Sequence, residues 1–123
     1  WGDSSSNKIN SPTGSFVKLS SNYNQSCAIN NSGSLECWGD NSYNLLSPPS
    51  GLYTDIAVGR TTSCAINTLN QIVCWGDENS PITSPPIGSF SQLSSSWFNA
   101  CGVTESGHAI CWGSDSYGER NVP

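Results

Sequence analysis

The chain repeats itself every 37 residues, and no insertion interrupts the period. Two columns of cysteine, one column of Trp-Gly and one column of proline recur at this step. A fixed period of this length predicts a propeller or a solenoid, in which each small unit packs mainly on its neighbours. The columns are Cys27, Cys64 and Cys101; Cys37, Cys74 and Cys111; Trp1, Trp38, Trp75 and Trp112; and Pro12, Pro49, Pro86 and Pro123.

The period divides the 123 residues into repeats 1–37, 38–74 and 75–111. Residues 112–123 match residues 1–12, so we interpret them as the opening of a fourth repeat within a single array, 1–123. A window cut from a longer array has this form, and so does a subunit that joins end to end with other copies. The chain has neither an initiator Met nor a signal peptide, which favours a processed or truncated form.

Alternation and turn residues predict three strands in each repeat. In repeat 1 these strands are 16–20, 26–30 and 34–38, with a tight turn at 31–33. The last turn position is Gly33, Asn70 or Gly107 in successive repeats, and both residue types tolerate positive φ. No segment has an apolar period of 3.6 residues, so we expect almost no helix. The sequence therefore predicts an all-β fold of β-propeller-type blades, either an open array or part of a propeller.

The predicted hairpin also pairs the cysteines. If its turn centres on Ser32, Cys27 lies opposite Cys37, and directly opposed Cα atoms are about 4.5–5.5 Å apart, which suits a disulfide. Zinc is the alternative, but its ligands are closely spaced, whereas these cysteines are ten residues apart and His108 is the only histidine. We expect disulfides, no metal and no cofactor, in an extracellular or cell-surface protein. The same register pairs Cys64 with Cys74 and Cys101 with Cys111.

Composition excludes several partners. Charged residues make up 11% of the chain and the net charge is −5. Because phosphate recognition needs clustered cations, we expect no nucleic acid partner and no attraction to anionic membranes. No apolar run approaches the roughly 18 residues that cross a bilayer. The cations are Lys8, Lys18, Arg60 and Arg120.

The string SCAIN, a turn and then CWGD resembles the repeats of the regulator-of-chromosome-condensation family. The Pro-Gly-aromatic steps at 12–16, 49–53 and 86–90 fit the same pattern, and the resemblance covers the whole chain. The short period and paired cysteines are most similar to the extracellular branch, such as Crinkly receptor ectodomains and the propeller-type β-lactamase inhibitor. The resemblance implies four-stranded blades, usually closed into a ring, with loops on one face that bind a protein.

The chain departs from this family pattern in two ways. Three repeats do not close a ring of about four to eight blades. In the family a Gly-x-x-His step often precedes the second strand, whereas here Gly59 keeps the glycine and Thr62 stands where the histidine would be. We therefore expect no inter-blade hydrogen bond from that histidine. Because the chain is acidic, rich in paired cysteines and without matching exchange residues, we also expect no exchange activity towards small GTPases.

Two sets of aromatic residues are candidate sites. Trp recurring once per blade beside a disulfide is typical of packing between blades, and a ligand-stacking ladder is the alternative. The loops 22–25, 59–62 and 96–99 vary between repeats, which is where binding specificity normally lies. Their candidate partner-binding residues are Tyr23, Arg60, Trp97 and Phe98; the alternative is that Trp97 and Phe98 cap the core of their own blade.

The remaining polar motifs indicate structural turns and glycosylation sites, and do not indicate a catalytic site. Calcium needs six to eight oxygens, so the repeated acidic turn after Trp-Gly favours Asx capping. His108 stands alone in a predicted turn without a nucleophile motif, so we expect no enzymatic activity. The sequons at 24–26 and 30–32 make Asn24 and Asn30 glycosylation candidates. The acidic turn residues are Asp3, Asp40, Asp77 and Asp115.

Together these features predict a non-enzymatic extracellular structural protein that self-associates into an oligomer or fibre through its open ends. The alternative is a protein-binding propeller module of a receptor or an inhibitor, whose variable loops recognise the partner. Lectin-like sugar binding through exposed aromatic residues is the third hypothesis.

Overall fold

Each period of the sequence contains one antiparallel three-stranded sheet, which we call a blade. The computed structural model describes residues 4–5, 8–116, 118 and 120–122. The strands predicted for repeat 1 are confirmed to within two residues at either end. Blade 1 comprises β1 Phe16–Asn22, β2 Gln25–Asn30 and β3 Leu35–Gly39; blade 2 comprises β4 Tyr53–Val58, β5 Thr62–Asn67 and β6 Ile72–Gly76; blade 3 comprises β7 Phe90–Ser95, β8 Asn99–Thr104 and β9 Ala109–Gly113.

The second hairpin of each blade has the predicted register. Cys27 lies directly opposite Cys37, and the cysteines of the other two blades are paired in the same way. All three predicted disulfides are confirmed, with Cα separations of 4.1, 4.0 and 4.0 Å. The turns between these strands carry positive φ at Gly33, Asn70 and Gly107, as their residue types predict.

A side chain at the start of each of these turns also holds the hairpin closed. The Oδ1 atom of Asn30 accepts hydrogen bonds from the amides of Ser32 and Ser34, at 2.9 and 3.1 Å. Asn67 repeats this arrangement in blade 2, and the hydroxyl of Thr104 replaces it in blade 3. In every blade, a side chain at the turn therefore stabilises the hairpin by accepting hydrogen bonds from backbone amides.

The four-stranded blades implied by the family resemblance are wrong for the described residues, since each sheet has three strands. The segments between blades contain prolines, which cannot donate to a strand ladder. These segments form short 3₁₀ turns at Ser42–Asn44 and Pro81–Thr83. The described part of the chain contains no helix long and apolar enough to cross a membrane.

The blades stack face to face, with β1 next to β4 and β4 next to β7. We call the side of a blade that meets the preceding blade its leading face, and the opposite side its trailing face. In the first interface, Ile56 and Trp75 on the leading face of blade 2 pack on Cys27 and Ile29 on the trailing face of blade 1. In the second interface, Trp112 of blade 3 packs with Cys64 of blade 2. The core thus lies between blades.

Candidate functional site

The tryptophan column lies in the interfaces between blades. The indole nitrogens of Trp75 and Trp112 donate to the carbonyls of Leu45 and Ile82, both at 2.9 Å and both 30 residues earlier. Trp38 makes the equivalent bond at 3.0 Å and is half-buried, while Trp1 lies outside the described residues. The described tryptophans therefore join each blade to the segment that precedes its first strand.

Gln25 links the first two blades, a role that sequence reasoning missed. Its Nε2 donates to the Leu45 carbonyl at 2.8 Å, and its Oε1 accepts from the hydroxyl of Ser63 at 3.2 Å. Gln25 lies one period before Thr62, the position where the family often has histidine. The hydroxyl of Thr62 is buried and has no hydrogen-bond partner within the described residues. A comparison of this position across repeats, and not in the second repeat alone, would have indicated that the Gln25 amide can take the place of the family's histidine.

A buried carboxylate joins the second and third blades. Asp55 Oδ2 accepts from the backbone amide of Leu93 at 2.8 Å, and its Oδ1 accepts from the amide of Ile56 at 3.0 Å. The ammonium group of Lys18 in blade 1 lies 3.6 Å from the same Oδ1. The buried carboxylate of Asp55 therefore accepts hydrogen bonds from two amides and lies near a cation of blade 1, which offsets the cost of its burial.

The three variable loops form a surface that includes aromatic rings and a cation. Tyr23, Arg60 and Trp97 occupy the same position in successive periods. The guanidinium of Arg60 lies 4.7 Å from the Trp97 ring centroid, a cation–π distance, and Phe98 packs edge-on against Trp97 at 6.3 Å. We call Tyr23, Arg60, Trp97 and Phe98 the loop surface.

Neither Trp97 nor Phe98 belongs to the two core clusters. Their side chains are 50% and 58% exposed. Tyr23 is also exposed, with the ammonium of Lys8 5.6 Å from its ring centroid. This placement favours a surface role for the aromatic pair over the alternative of a cap on the blade core.

Backbone contacts anchor these loops to the Trp-Gly motif. Gly39, Gly76 and Gly113 have φ between 109° and 119°, and a side chain at any of them would collide with a carbonyl of the adjacent loop. The residue after each glycine donates its amide to that loop at 2.8 Å. Glycine is therefore required after each of these tryptophans. The close contacts and the backbone hydrogen bonds fix the loops that carry the loop surface.

The acidic turns bind backbone amides. Asp40 accepts hydrogen bonds from the amide and hydroxyl of Ser42, and these bonds hold the pKa of its carboxyl below the ordinary value. Asp77 accepts from the amide of Asn79. Asp115 accepts from the amide and guanidinium of Arg120, which likewise lower its pKa. Asp3 lies outside the described residues.

The remaining sequence candidates lie on turns. Asn24 is half-buried between β1 and β2, where its carbonyl accepts from the amide of Asp40. Asn30 is the turn residue described above. His108 is exposed, and its Nδ1 lies 3.0 Å from the hydroxyl of Ser106. Within the described residues, no three His, Cys, Asp or Glu side chains gather as a metal site would require.

The two outer faces of the described array are less covered than their internal counterparts. Leu19 on the leading face of blade 1 is 67% exposed, whereas the equivalent Ile56 is 5% exposed. Cys101 and Val103 on the trailing face of blade 3 are half-buried, whereas the equivalent Cys27 and Ile29 are fully buried. We call these two surfaces the end faces.

Comparison with known proteins agrees with this architecture. A model of the regulator of chromosome condensation (RCC1) repeat matches residues 90–119. None of the curated proteins matches the chain. The chain is similar to the ectodomain of the receptor kinase CR4 from Physcomitrella patens, with 28% identity, a TM-score of 0.68, and coverage of 80% of this chain and 29% of that one.

Two further structures are similar. The CRINKLY WD40 ectodomain of the Arabidopsis thaliana receptor kinase ACR4 has 30% identity and a TM-score of 0.67, over 78% of this chain and 36% of that one. Yeast RCC1 (Prp20), in a structure with Kap60, has 13% identity and a TM-score of 0.76, over 94% of this chain and 39% of that one. That third likeness shows a shared fold alone. The chain spans less than two fifths of each of these proteins.

Proposed function

We propose that this chain, an array of RCC1-like repeats, is a non-enzymatic extracellular module that works by associating end to end with further copies of itself. Three disulfides and the likeness to two receptor ectodomains support an extracellular location.

The observation that carries this proposal is the matching chemistry of the two end faces. Both contain the same residue columns that meet inside the array, and both expose apolar side chains that the internal blades bury. Burying such surface is favourable by about 25 cal/mol per Å² of apolar area. A contact between unlike faces forms a ring if its rotation closes and a filament if it does not.

Sedimentation of the oxidised chain over a range of concentrations tests the proposal, with negative-stain electron microscopy of the same samples. We expect species at whole multiples of the chain mass that grow with concentration, seen as rings or as fibres with a regular subunit spacing. A monomer at every concentration contradicts the proposal. Intact-mass measurement of the three disulfides is the control, since reduced chains expose other apolar surface.

The loop surface supports a second candidate function, which is protein recognition. Arg60 stacked on Trp97 presents guanidinium N–H groups beside exposed aromatic rings, and Arg and Trp are enriched at the energetic centres of interfaces. Among the described residues Arg60 makes no ion pair, so its guanidinium is open to a carboxylate of a partner.

A screen of the chain against a library of secreted proteins tests this second function. The matched control is the Trp97→Ala/Phe98→Ala double variant, in which the end faces are unchanged. Binding that disappears in the double variant while self-association persists supports recognition by the loop surface. Binding that survives the double variant contradicts it. A glycan array with the same two proteins tests whether the aromatic rings bind sugar.

A further inference from the structure

We propose that the outer edge of β6 binds an extended peptide segment of another protein, one with alternating apolar side chains and basic residues at its ends. The peptide would pair with β6 as an additional strand of blade 2. This site is separate from the end faces and from the loop surface, so the inference does not depend on the proposed self-association.

The register of blade 2 shows which backbone groups of β6 face outward. Within the described residues β6 pairs with β5 alone. At the start of this ladder the amide of Asn67 donates to the carbonyl of Gln71 at 2.9 Å, so the hydrogen-bonded pairs fall on odd-numbered residues of β6. Cys64 and Cys74 form one of the other pairs, and the 4.0 Å between their Cα atoms agrees with this register. The even-numbered residues of β6 therefore turn their amides and carbonyls away from β5.

These outward groups are unpaired within the described part of the chain. They belong to Ile72, Cys74 and Gly76, and neither the amides nor the carbonyls of these residues make a hydrogen bond with another described residue. An edge strand with such a row of donors and acceptors can pair with an extended peptide through main-chain hydrogen bonds. Because alternate residues of the peptide would face β6, three outward residues match a strand of about five residues.

A groove borders this edge, and its walls come from the segments before and after blade 2. One cavity, of about 370 Å³, adjoins Cys74 and Gly76 and is lined by residues 43, 44 and 47 of the preceding segment. A second cavity, of about 510 Å³, adjoins Ile72 and is lined by residues 85–89 of the following segment. Both volumes lie in the range of ligand sites, which is about 300–1,000 Å³. We call the two cavities the β6 groove.

The β6 groove is apolar at positions where repeat 1 is polar. Leu69 is 72% exposed and Ile87 is fully exposed, and both line the larger cavity. Ser32 and Ser50 occupy the same positions one period earlier. Because repeat 1 folds into the same blade with serine there, these two apolar side chains are not required by the fold. Exposed apolar side chains that gather at a groove are typical of a binding surface.

The edge strand of blade 2 also lacks the charge found on that of blade 1. Glu36 lies in β3, and Val73 occupies the same position in β6. A charge on an edge strand opposes pairing with another chain, whereas valine favours it. Blade 3 has Ile110 at this position, but Ser106 in place of Leu69. Among the described blades, blade 2 therefore combines an uncharged edge with an apolar residue at the preceding turn.

Electrostatics favours a peptide with basic ends. Glu78 is the charged residue among the described side chains that line the groove, and it makes no ion pair with them. Near the other end of the groove, a carboxylate oxygen of Glu105 accepts from the side-chain amide of Asn70 at 2.7 Å, in the turn that precedes β6. Both ends of the groove are therefore negative, which favours lysine or arginine at the ends of the peptide.

A peptide library tests the site directly. The probes are peptides of about seven residues, a usual length for a strand, with apolar residues at alternate positions and lysine at both ends. We expect members of the library to bind the oxidised chain in a fluorescence polarisation assay, and the same peptides with glutamate ends to bind about tenfold more weakly. If no member binds, the proposal is wrong.

Methylated peptides test the main-chain pairing. Methylation of one alternate set of peptide amides keeps every side chain but removes the donors that face β6, and should abolish binding. Methylation of the other alternate set should weaken binding much less. Equal effects of the two sets would contradict pairing with an edge strand.

A double variant tests the apolar walls of the groove. Leu69→Ser with Ile87→Ser gives blade 2 the residues of repeat 1, and should weaken binding about tenfold or more without loss of the fold. Leu52→Ser is the matched control, because Leu52 is a half-exposed apolar residue outside the groove. Unchanged binding by the double variant would contradict the role of the groove, and circular dichroism checks that both variants are folded.

Amide hydrogen exchange locates the bound peptide. The outward amides of β6 should exchange more slowly in the complex, whereas the equivalent amides of β3 should not change. Protection at the loop surface instead would overturn the proposal, and so would protection of β6 that grows with the concentration of the chain alone, since a second copy would then be the occupant. A chain that stays monomeric and binds the peptide at β6 would support this inference while the proposed self-association fails.

Discussion

The carbonyl oxygen of Leu45 accepts two hydrogen bonds from two different blades, one of them from the indole nitrogen of Trp75 at 2.9 Å. The other comes from the Gln25 amide of blade 1 at 2.8 Å. One backbone atom in a connecting segment therefore ties two sheets that share no strand ladder. Such cross-blade bonds add to the apolar packing that joins the first two blades.

Replacing Trp75 by Phe tests the contribution of the indole bond. The variant keeps an aromatic ring but loses the buried indole donor and part of the buried surface. We expect the free energy of unfolding to fall by about 1–2 kcal/mol, measured by denaturant titration. Trp97→Phe is the control, since Trp97 is half-exposed and should change stability by less than about 0.5 kcal/mol. Equal losses in both variants would contradict the role of the indole bond.

Substitutions at two neighbouring positions on β5 should change the free energy of unfolding in opposite directions. Thr62 buries a hydroxyl that has no partner in the described structure, so Thr62→Val should raise the free energy of unfolding by about 1 kcal/mol. Ser63→Ala removes the hydroxyl that donates to Gln25, and should lower it by a similar amount. Thermal denaturation of both variants is the measurement. A destabilised Thr62→Val would indicate that its hydroxyl is hydrogen-bonded in solution.

Acid should weaken the fold through its turn carboxylates. The pKa values of Asp40 and Asp115 lie below the ordinary 3.8, because amides of Ser42 and Arg120 donate to them. Their contribution to stability is present above the unfolded pKa and is lost as pH falls through the folded pKa. The thermal midpoint should therefore drop as the pH is lowered below about 4.

The Asp40→Asn variant isolates one of these carboxylates. The amide oxygen still accepts from Ser42 but does not titrate in this range. We expect a smaller drop in the thermal midpoint between neutral and acid pH than in the wild-type chain. An unchanged drop would show that other groups dominate the acid response.

The three disulfides should be reduced in a set order. Cys27 and Cys64 are fully buried by the following blade, whereas Cys101 lies on the half-open trailing face of blade 3. Mild reductant followed by alkylation and peptide mass spectrometry should label Cys101 and Cys111 first. In assembled material this labelling should slow, because a second copy covers the same face. Equal rates for all three disulfides would contradict the burial order.

Local patterns in the sequence predicted most of each blade. The pairing of Cys27 with Cys37 follows from a hairpin of a few residues, whose register depends only on its own turn. The tryptophan column lies between blades because a large aromatic side chain that recurs beside a disulfide has few other places to pack. The period, the strands and the disulfides therefore follow from local patterns in the sequence.

Features that depend on contacts between distant residues could not be predicted from local sequence patterns. The exposure of Trp97 depends on the path of its loop, which sequence periodicity does not encode. The hydrogen bond that Ser63 donates to Gln25 spans 38 residues and joins two different columns of the repeat. The fourth strand was expected from family likeness, and the prolines between blades, such as Pro49 and Pro86, argued against it more strongly than that likeness supported it.

Trp38, Trp75 and Trp112 each reach a carbonyl acceptor 30 residues earlier, and this spacing has an evolutionary consequence. Each blade and the carbonyl that its tryptophan binds lie within one 37-residue period, although that carbonyl belongs to the segment that follows the preceding blade. A recombination event between any two equivalent positions would therefore regenerate the same seam, wherever the breakpoint fell. Gene copies that differ by whole periods would therefore encode the same contacts between each blade and the segment before it.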